Sequence, residues 1–138
     1  MRTVGICIGA STIQLVRVCG DDEVLAVEEA VRLPHGGNPR GTFLEVVAGL
    51  DLVAIDRIAV TGRSFRRSVN LTTISEPEAV EKALAREYRD TDPPDLVVGA
   101  GGETQLVYRV GSAGGIVSVH TGNKCASGTG EFFLQQIR

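Results

Sequence analysis

Thr3-Val4-Gly5-Ile6-Cys7-Ile8-Gly9-Ala10-Ser11-Thr12-Ile13-Gln14-Leu15-Val16-Arg17-Val18 opens the chain and decides how the rest is read. Thr3 to Ile8 is apolar and rich in β-branched residues, Gly9-Ala10-Ser11 is a tight turn, and Ile13 to Val18 is a second strand with partial alternation. Asp21-Asp22 returns the chain into a third strand, roughly Val24 to Leu33. Three consecutive strands joined by short turns predict an antiparallel meander.

Outward from the meander the pattern changes to alternating helix and strand. In the loop His35-Gly36-Gly37-Asn38-Pro39, Asn38 is placed as an N-cap and Pro39 as the first helical residue. Phe43, Leu44, Val46, Val47 and Leu50 recur at helical spacing behind it. Arg57 to Val60 reads as a buried strand ending at Thr61-Gly62, and Gly62 to Thr73, with Arg63, Arg66 and Arg67, as a basic loop that is either solvated or in contact with phosphates or a partner. Ser75-Glu76-Pro77-Glu78 has the form of a capping box and opens a helix with Ala79, Val80, Ala83, Leu84 and Tyr88 on its apolar stripe. Asp92-Pro93-Pro94 stops that helix, and Leu96-Val97-Val98 reads as a buried strand. Gly99-Ala100-Gly101-Gly102 turns it into Gln105 to Val110, and Gly114-Gly115 turns that into Ile116 to Val119. A loop of small residues, Thr121 to Gly130, then opens a helix over Glu131 to Arg138. That helix is barely two turns and lacks a stop signal, so the chain reads as a piece of something longer. His35 has no partner motif and receives no role, and Asn70-Leu71-Thr72 matches the glycosylation pattern but has no meaning without export.

Composition narrows the function classes. The 138 residues, 43% hydrophobic and 22% charged, suit a folded domain of ordinary size and not a disordered chain. No apolar run approaches the roughly 20 residues that span a bilayer, and no leader pattern precedes the first strand, so a cytoplasmic location away from the membrane is expected. A net charge of −3 supplies no footprint for nucleic acid, and 4% aromatics without Trp disfavour base stacking. Three cysteines make a disulfide framework improbable.

The glycines carry the chemistry. The turns Gly9-Ala10-Ser11-Thr12 and Gly99 to Thr104 begin the two halves of the chain, and backbone N–H groups in such turns can approach a phosphate where no Cβ intervenes. Neither is a Walker loop or a dinucleotide fingerprint. Each alone reads as hairpin chemistry; the pair in this order leaves a two-turn phosphate clasp open. Cys125, in a glycine-rich loop before a helix, is either a thiolate ligand for a soft metal or a small packing residue. Cys7 lies within a strand and Cys19 at a strand end, and both read as packing residues.

Gly122-Asn123-Lys124-Cys125-Ala126-Ser127-Gly128-Thr129-Gly130-Glu131-Phe132 resembles the cluster-binding motif of the 2-hydroxyacyl-CoA dehydratase activators. These activases are grouped with the benzoyl-CoA reductase ATPase subunits in the actin/hexokinase-like superfamily. Gly5-x-x-x-Gly9-x-Ser11-Thr12, Thr61-Gly62, Ile74-Ser75-Glu76 and Gly101-Gly102 match in the same order, so the resemblance spans the chain. It is strongest to the activase-like modules that begin very long fused proteins. The resemblance implies a ribonuclease-H-like α/β fold with a mixed sheet, a first lobe over 1–94 and the beginning of a second over 95–138. It implies ATP and magnesium at Gly9, Ala10, Ser11, Thr12, Gly101, Gly102, Glu103 and Thr104 of the intact protein, the 138-residue chain alone being expected to bind ATP weakly or not at all and to hold no stable cluster. It also implies that Cys125 is the first ligand of a [4Fe–4S] cluster held between two subunits, the second ligand lying beyond Arg138. ATP hydrolysis would drive a low-potential electron into a dehydratase or reductase partner, in a homodimer or an intramolecular pseudo-dimer.

Four positions depart from the family pattern. Cys7 stands where the first turn carries Asp, Ala10 and Gln14 replace Ser and Lys, and Gly99 replaces the Asp of the second turn. Magnesium prefers carboxylate and water oxygens, which leaves Glu76 and Glu103 as the candidates for orienting a water. Two further readings therefore stand beside the activase module: a degenerate nucleotide-binding or scaffolding domain of a large fused protein, and a plain protein-interaction domain.

Overall fold

The structure, a computed structural model, describes residues 1–21, 23–62, 69–101 and 105–122. The chain divides into two compact units, Met1–Ser75 and Glu76–Arg138. This division groups the second helix with the later hairpins.

In the first unit, β1 (Arg2–Ile8), β2 (Thr12–Gly20) and β3 (Leu25–Pro34) form the expected antiparallel meander. The chain then crosses through α1 (Pro39–Ala48) and a 3-10 turn (Leu52–Ala54) to β4 (Arg57–Gly62), which pairs parallel to β1. A two-residue strand, β5 (Thr72–Thr73), pairs parallel to β4 and completes a mixed sheet of order β3-β2-β1-β4-β5.

The register explains the core. Val4, Ile6 and Ile8 on β1 stand beside Ile13 and Leu15 on β2 and Val60 on β4, so one face of the sheet is continuously aliphatic and buried. Phe43 of α1 closes that cluster, with Val46, Val47 and Leu50 packed against it. Burying each such side chain contributes about 1.5–3 kcal/mol, which is why this face fixes the register of β1 against β2 and β4. Asn38 caps α1 as expected, its side-chain oxygen accepting from the Gly41 N–H at 3.0 Å, and Pro39 occupies the first helical position.

The second unit begins with α2 (Glu76–Glu87) and continues into an antiparallel sheet of β6 (Leu96–Ala100), β7 (Gln105–Val110) and β8 (Ile116–Thr121). Leu106, Tyr108 and Val110 alternate along the buried face of β7, and Leu84 is the buried residue of α2. The Glu81 carboxylate accepts from the Ile116 N–H at 2.8 Å and ties α2 to β8.

Three local expectations change. Leu96 and Val98 were expected in a buried strand, yet they are 59% and 57% exposed. β6 is an edge strand, and these two residues share the face opposite Leu106 and Tyr108. Leu44, placed on the apolar stripe of α1, is exposed, and the stripe is carried by Phe43, Val46, Val47 and Leu50. Thr72–Thr73, read as the end of a basic loop, forms β5. Arg63, Arg66, Arg67 and Asp22 lie outside the described residues, as does the helix expected over Glu131 to Arg138.

Candidate functional site

The turn between β1 and β2 lies at the carboxyl end of β1, and the neighbouring parallel strand β4 ends beside it at Gly62. Ligands of open α/β sheets gather at this end of parallel strands. The Gly9 N–H donates to the Thr12 carbonyl at 2.9 Å and closes the turn, leaving Ala10 and Ser11 exposed at its centre. A Cβ on Gly9 would stand 3.0 Å from that carbonyl, so glycine lets the turn close this tightly. Gly62 has φ +122°, and a Cβ there would collide with the Ile8 carbonyl; glycine is what lets β4 lie against the last residue of β1.

His35, which has no motif in the sequence, packs against this turn and is 8% exposed. Its backbone N–H donates to the Ser11 carbonyl at 3.1 Å. Its ring Nε2 lies 3.3 Å from the Gly9 carbonyl, and its Nδ1 lies 3.2 Å from the Gly37 N–H. A carbonyl only accepts and an amide N–H only donates, so both contacts are satisfied by the tautomer with its proton on Nε2. The His35 carbonyl accepts from the Asn38 N–H at 2.7 Å, which joins the clamp to the cap of α1. Three of the four turn carbonyls, those of Gly9, Ser11 and Thr12, thus accept hydrogen bonds, while the amides of Ala10 and Ser11 have no acceptor among the described residues. A turn so arranged favours an anion.

Below the turn, Cys7 lies in register between Gln14 of β2 and Thr61 of β4. The Thr61 hydroxyl is buried without a hydrogen-bond partner among the described residues. A thiol, an amide and a hydroxyl do not make a magnesium site, and among the described residues no group of three or more His, Cys, Asp and Glu converges. The donor set of this row does not fit magnesium. Among the described residues Cys7 and Cys19 form no disulfide, and each is half-buried.

The second turn is described only at its flanks. Ala100 pairs with Gln105, but Gly102, Glu103 and Thr104 lie outside the described residues, as does Cys125. Gly99 stands in β6 opposite Leu106, and a Cβ there would meet the Tyr108 ring at an ordinary 3.7 Å. Glu76 is the first residue of α2 and is half-buried.

At the opposite end of β1, Arg2 holds Glu28 through two hydrogen bonds of 2.8 and 2.9 Å. This contact keeps the Glu28 carboxyl below the usual carboxylate range. The Asp21 carboxyl is held low in the same direction by the amides of Val24 and Glu23.

The meander, the crossover to a parallel β4 and the sheet order are those of the ribonuclease-H-like, actin-like ATPase fold. No protein-family model matches the sequence, and no curated protein matches it. Among solved structures, the activator of the 2-hydroxyisocaproyl-CoA dehydratase from Clostridium difficile with bound ADPNP superposes with a TM-score of 0.71 and 23% identity, over 99% of this chain and 52% of its own. An exopolyphosphatase from Cytophaga hutchinsonii gives 0.69 and 15%, over 97% and 53%. A Bacteroides thetaiotaomicron protein with an actin-like ATPase fold and unknown function gives 0.60 and 6%, over 99% and 75%. Identities this low show the shared fold alone. The chain spans about half the length of the first two of these structures. No helix among the described residues is long and apolar enough to cross a membrane.

Proposed function

We propose that this chain is a nucleotide-binding module whose Gly9–Thr12 turn receives a phosphoryl group through the amides of Ala10 and Ser11. The observation that carries this reading is the polarity of the turn, with three carbonyls engaged and the two central amides without an acceptor among the described residues. The activator neighbour is described with bound ADPNP, which supports a nucleotide as the source of that phosphate. Gly101, Gly102, Glu103 and Thr104 form the second phosphate turn in this reading, and Glu76 and Glu103 are the carboxylates left to orient a water.

For the intact protein, the finer reading is an ATP-dependent activase of the 2-hydroxyacyl-CoA dehydratase or benzoyl-CoA reductase type. Cys125 is then a ligand of a [4Fe–4S] cluster shared by two subunits or two modules, and a cytoplasmic dehydratase or reductase receives the electron. The lobes divide at Pro94 in this reading. The alternative is a module that binds nucleotide without turnover, and the Gln14–Cys7–Thr61 row, which offers magnesium no carboxylate, favours it. Iron content and ATP turnover of the purified intact protein separate the two. The activase reading expects about four iron atoms per subunit pair together with hydrolysis. Nucleotide binding without turnover selects the second reading, and no nucleotide binding by the intact protein contradicts both.

A further inference from the structure

The β3–α1 loop and the β1–β2 turn are joined by one residue. His35 contributes a backbone N–H to the Ser11 carbonyl and a ring N–H to the Gly9 carbonyl, and these two contacts flank the Ala10–Ser11 peptide. That peptide carries its N–H and its carbonyl on opposite sides. A half rotation would place the Ala10 carbonyl where the Ser11 N–H now stands, exchanging a donor for an acceptor. Neither Ala10 nor Ser11 has a positive φ, so the turn is of neither primed hairpin type. Flipping that peptide would require a positive φ at Ser11, which only glycine adopts at little cost, and the imidazole ring adds a further restraint by holding the neighbouring Gly9 carbonyl. The ring is itself held, because the Gly37 N–H donates to Nδ1 and leaves Nε2 as the protonated nitrogen facing Gly9.

We propose that His35 is a positioning residue for the phosphate turn: its imidazole fixes the Gly9 carbonyl and so keeps the Ala10 and Ser11 amides presented to an anionic phosphoryl group. The proposal rests on the phosphate-binding reading of the turn and adds the residue that pre-organises it. Phosphate is the class of ligand because two adjacent amides match two oxygens of one tetrahedral anion.

The test uses the 138-residue chain and sodium pyrophosphate as the probe, with the Ala10 and Ser11 amides followed by proton–nitrogen NMR. In the wild-type chain both amides should shift saturably with pyrophosphate. His35→Phe keeps an aromatic ring of similar size and removes both ring hydrogen bonds, and it should weaken pyrophosphate binding by about tenfold, the scale of one to two net hydrogen bonds. His35→Gln keeps a donor for Gly9 and an acceptor for Gly37 and should restore affinity to within about threefold of wild type, since the same bonds are re-formed. Rescue by Gln and not by Phe is a result that packing alone does not produce. If His35→Phe does not fold, His35→Met takes its place in the same comparison. Equal affinity in wild type, Gln and the apolar variant overturns the role of His35 while leaving the turn a phosphate site. Equal loss in Gln and the apolar variant overturns it in favour of packing. Absence of any pyrophosphate shift at Ala10 and Ser11 in the wild-type chain overturns the phosphate reading of the turn and the proposal with it.

Discussion

Replacing Gly62 by Ala should damage the first unit far more than a methyl added at Gly5 of β1. Gly62 ends β4 at φ +122°, paired with Ile8, and the new Cβ would be driven into the Ile8 carbonyl. Holding a non-glycine residue in so sparsely populated a conformation costs about 1–3 kcal/mol. Relieving the overlap requires the end of β4 to move off β1, with loss of a backbone hydrogen bond worth about 0.5–1.5 kcal/mol. The sum is roughly 2–4 kcal/mol, a large part of the 5–15 kcal/mol that holds a typical domain folded. At about 4–8 °C per kcal/mol for a unit of this size, the melting temperature should fall by roughly 10–25 °C. Urea and thermal unfolding followed by circular dichroism measure this directly. Gly5→Ala is the control, because a Cβ at Gly5 meets nothing within 4 Å and no positive φ strains it. It should change stability by no more than about 0.5 kcal/mol. A Gly62→Ala loss below about 1 kcal/mol, or one equal to that of Gly5→Ala, would refute the reasoning.

Three other perturbations address the core, the acid range and the ligand row. Phe43→Ala removes the one buried side chain that α1 places on the sheet core and should cost about 3–5 kcal/mol in urea unfolding. Because Glu28 is held below its ordinary value by Arg2, the unfolded chain binds more protons than the folded one as the pH falls. Its stabilising contribution is complete above the ordinary carboxylate value and is lost as the pH drops through the lowered one, so the urea midpoint should decline on acidification and Glu28→Gln should flatten that decline. An unchanged slope in Glu28→Gln would count against the Arg2–Glu28 contact. Cys7→Asp places a carboxylate between Gln14 and Thr61, and pyrophosphate binding should then become several-fold tighter with magnesium, whereas the wild-type chain should not respond. A wild-type response to magnesium would show that the row has been misjudged.

Local chemistry made most of the fold legible. The β-branched runs and short turns specify β1, β2 and β3, Asn38 and Pro39 mark the start of α1, and Gln105 to Val110 was read with the boundaries that β7 adopts. What escaped depends on partners far away in the chain. Thr72–Thr73 is a strand only because Ala59 and Val60 lie alongside it, and two residues show no periodicity of their own. Leu96 and Val98 look like core in an apolar run, but their burial depends on which face of the edge strand is covered.

The turn Gly9–Thr12 was legible as glycine chemistry, while its polarity was not, since that comes from His35. The signal for His35 was present in the strand lengths: once Thr12 pairs with Pro34, the next residue must stand beside Ser11. Reading it required carrying the register through both hairpins. Gly102, Glu103, Thr104 and Cys125 lie outside the described residues, so the second turn and the cluster ligand stand as proposals.

The central claim is that the Ala10 and Ser11 amides receive the phosphate of a nucleotide. A crystal structure of the intact protein with a non-hydrolysable ATP analogue tests it most directly. The account predicts a phosphate oxygen about 3 Å from the amide nitrogens of Ala10 and Ser11, with His35 still on the Gly9 carbonyl. A bound analogue whose phosphates lie away from this turn, or that approach it only through side chains, would contradict it.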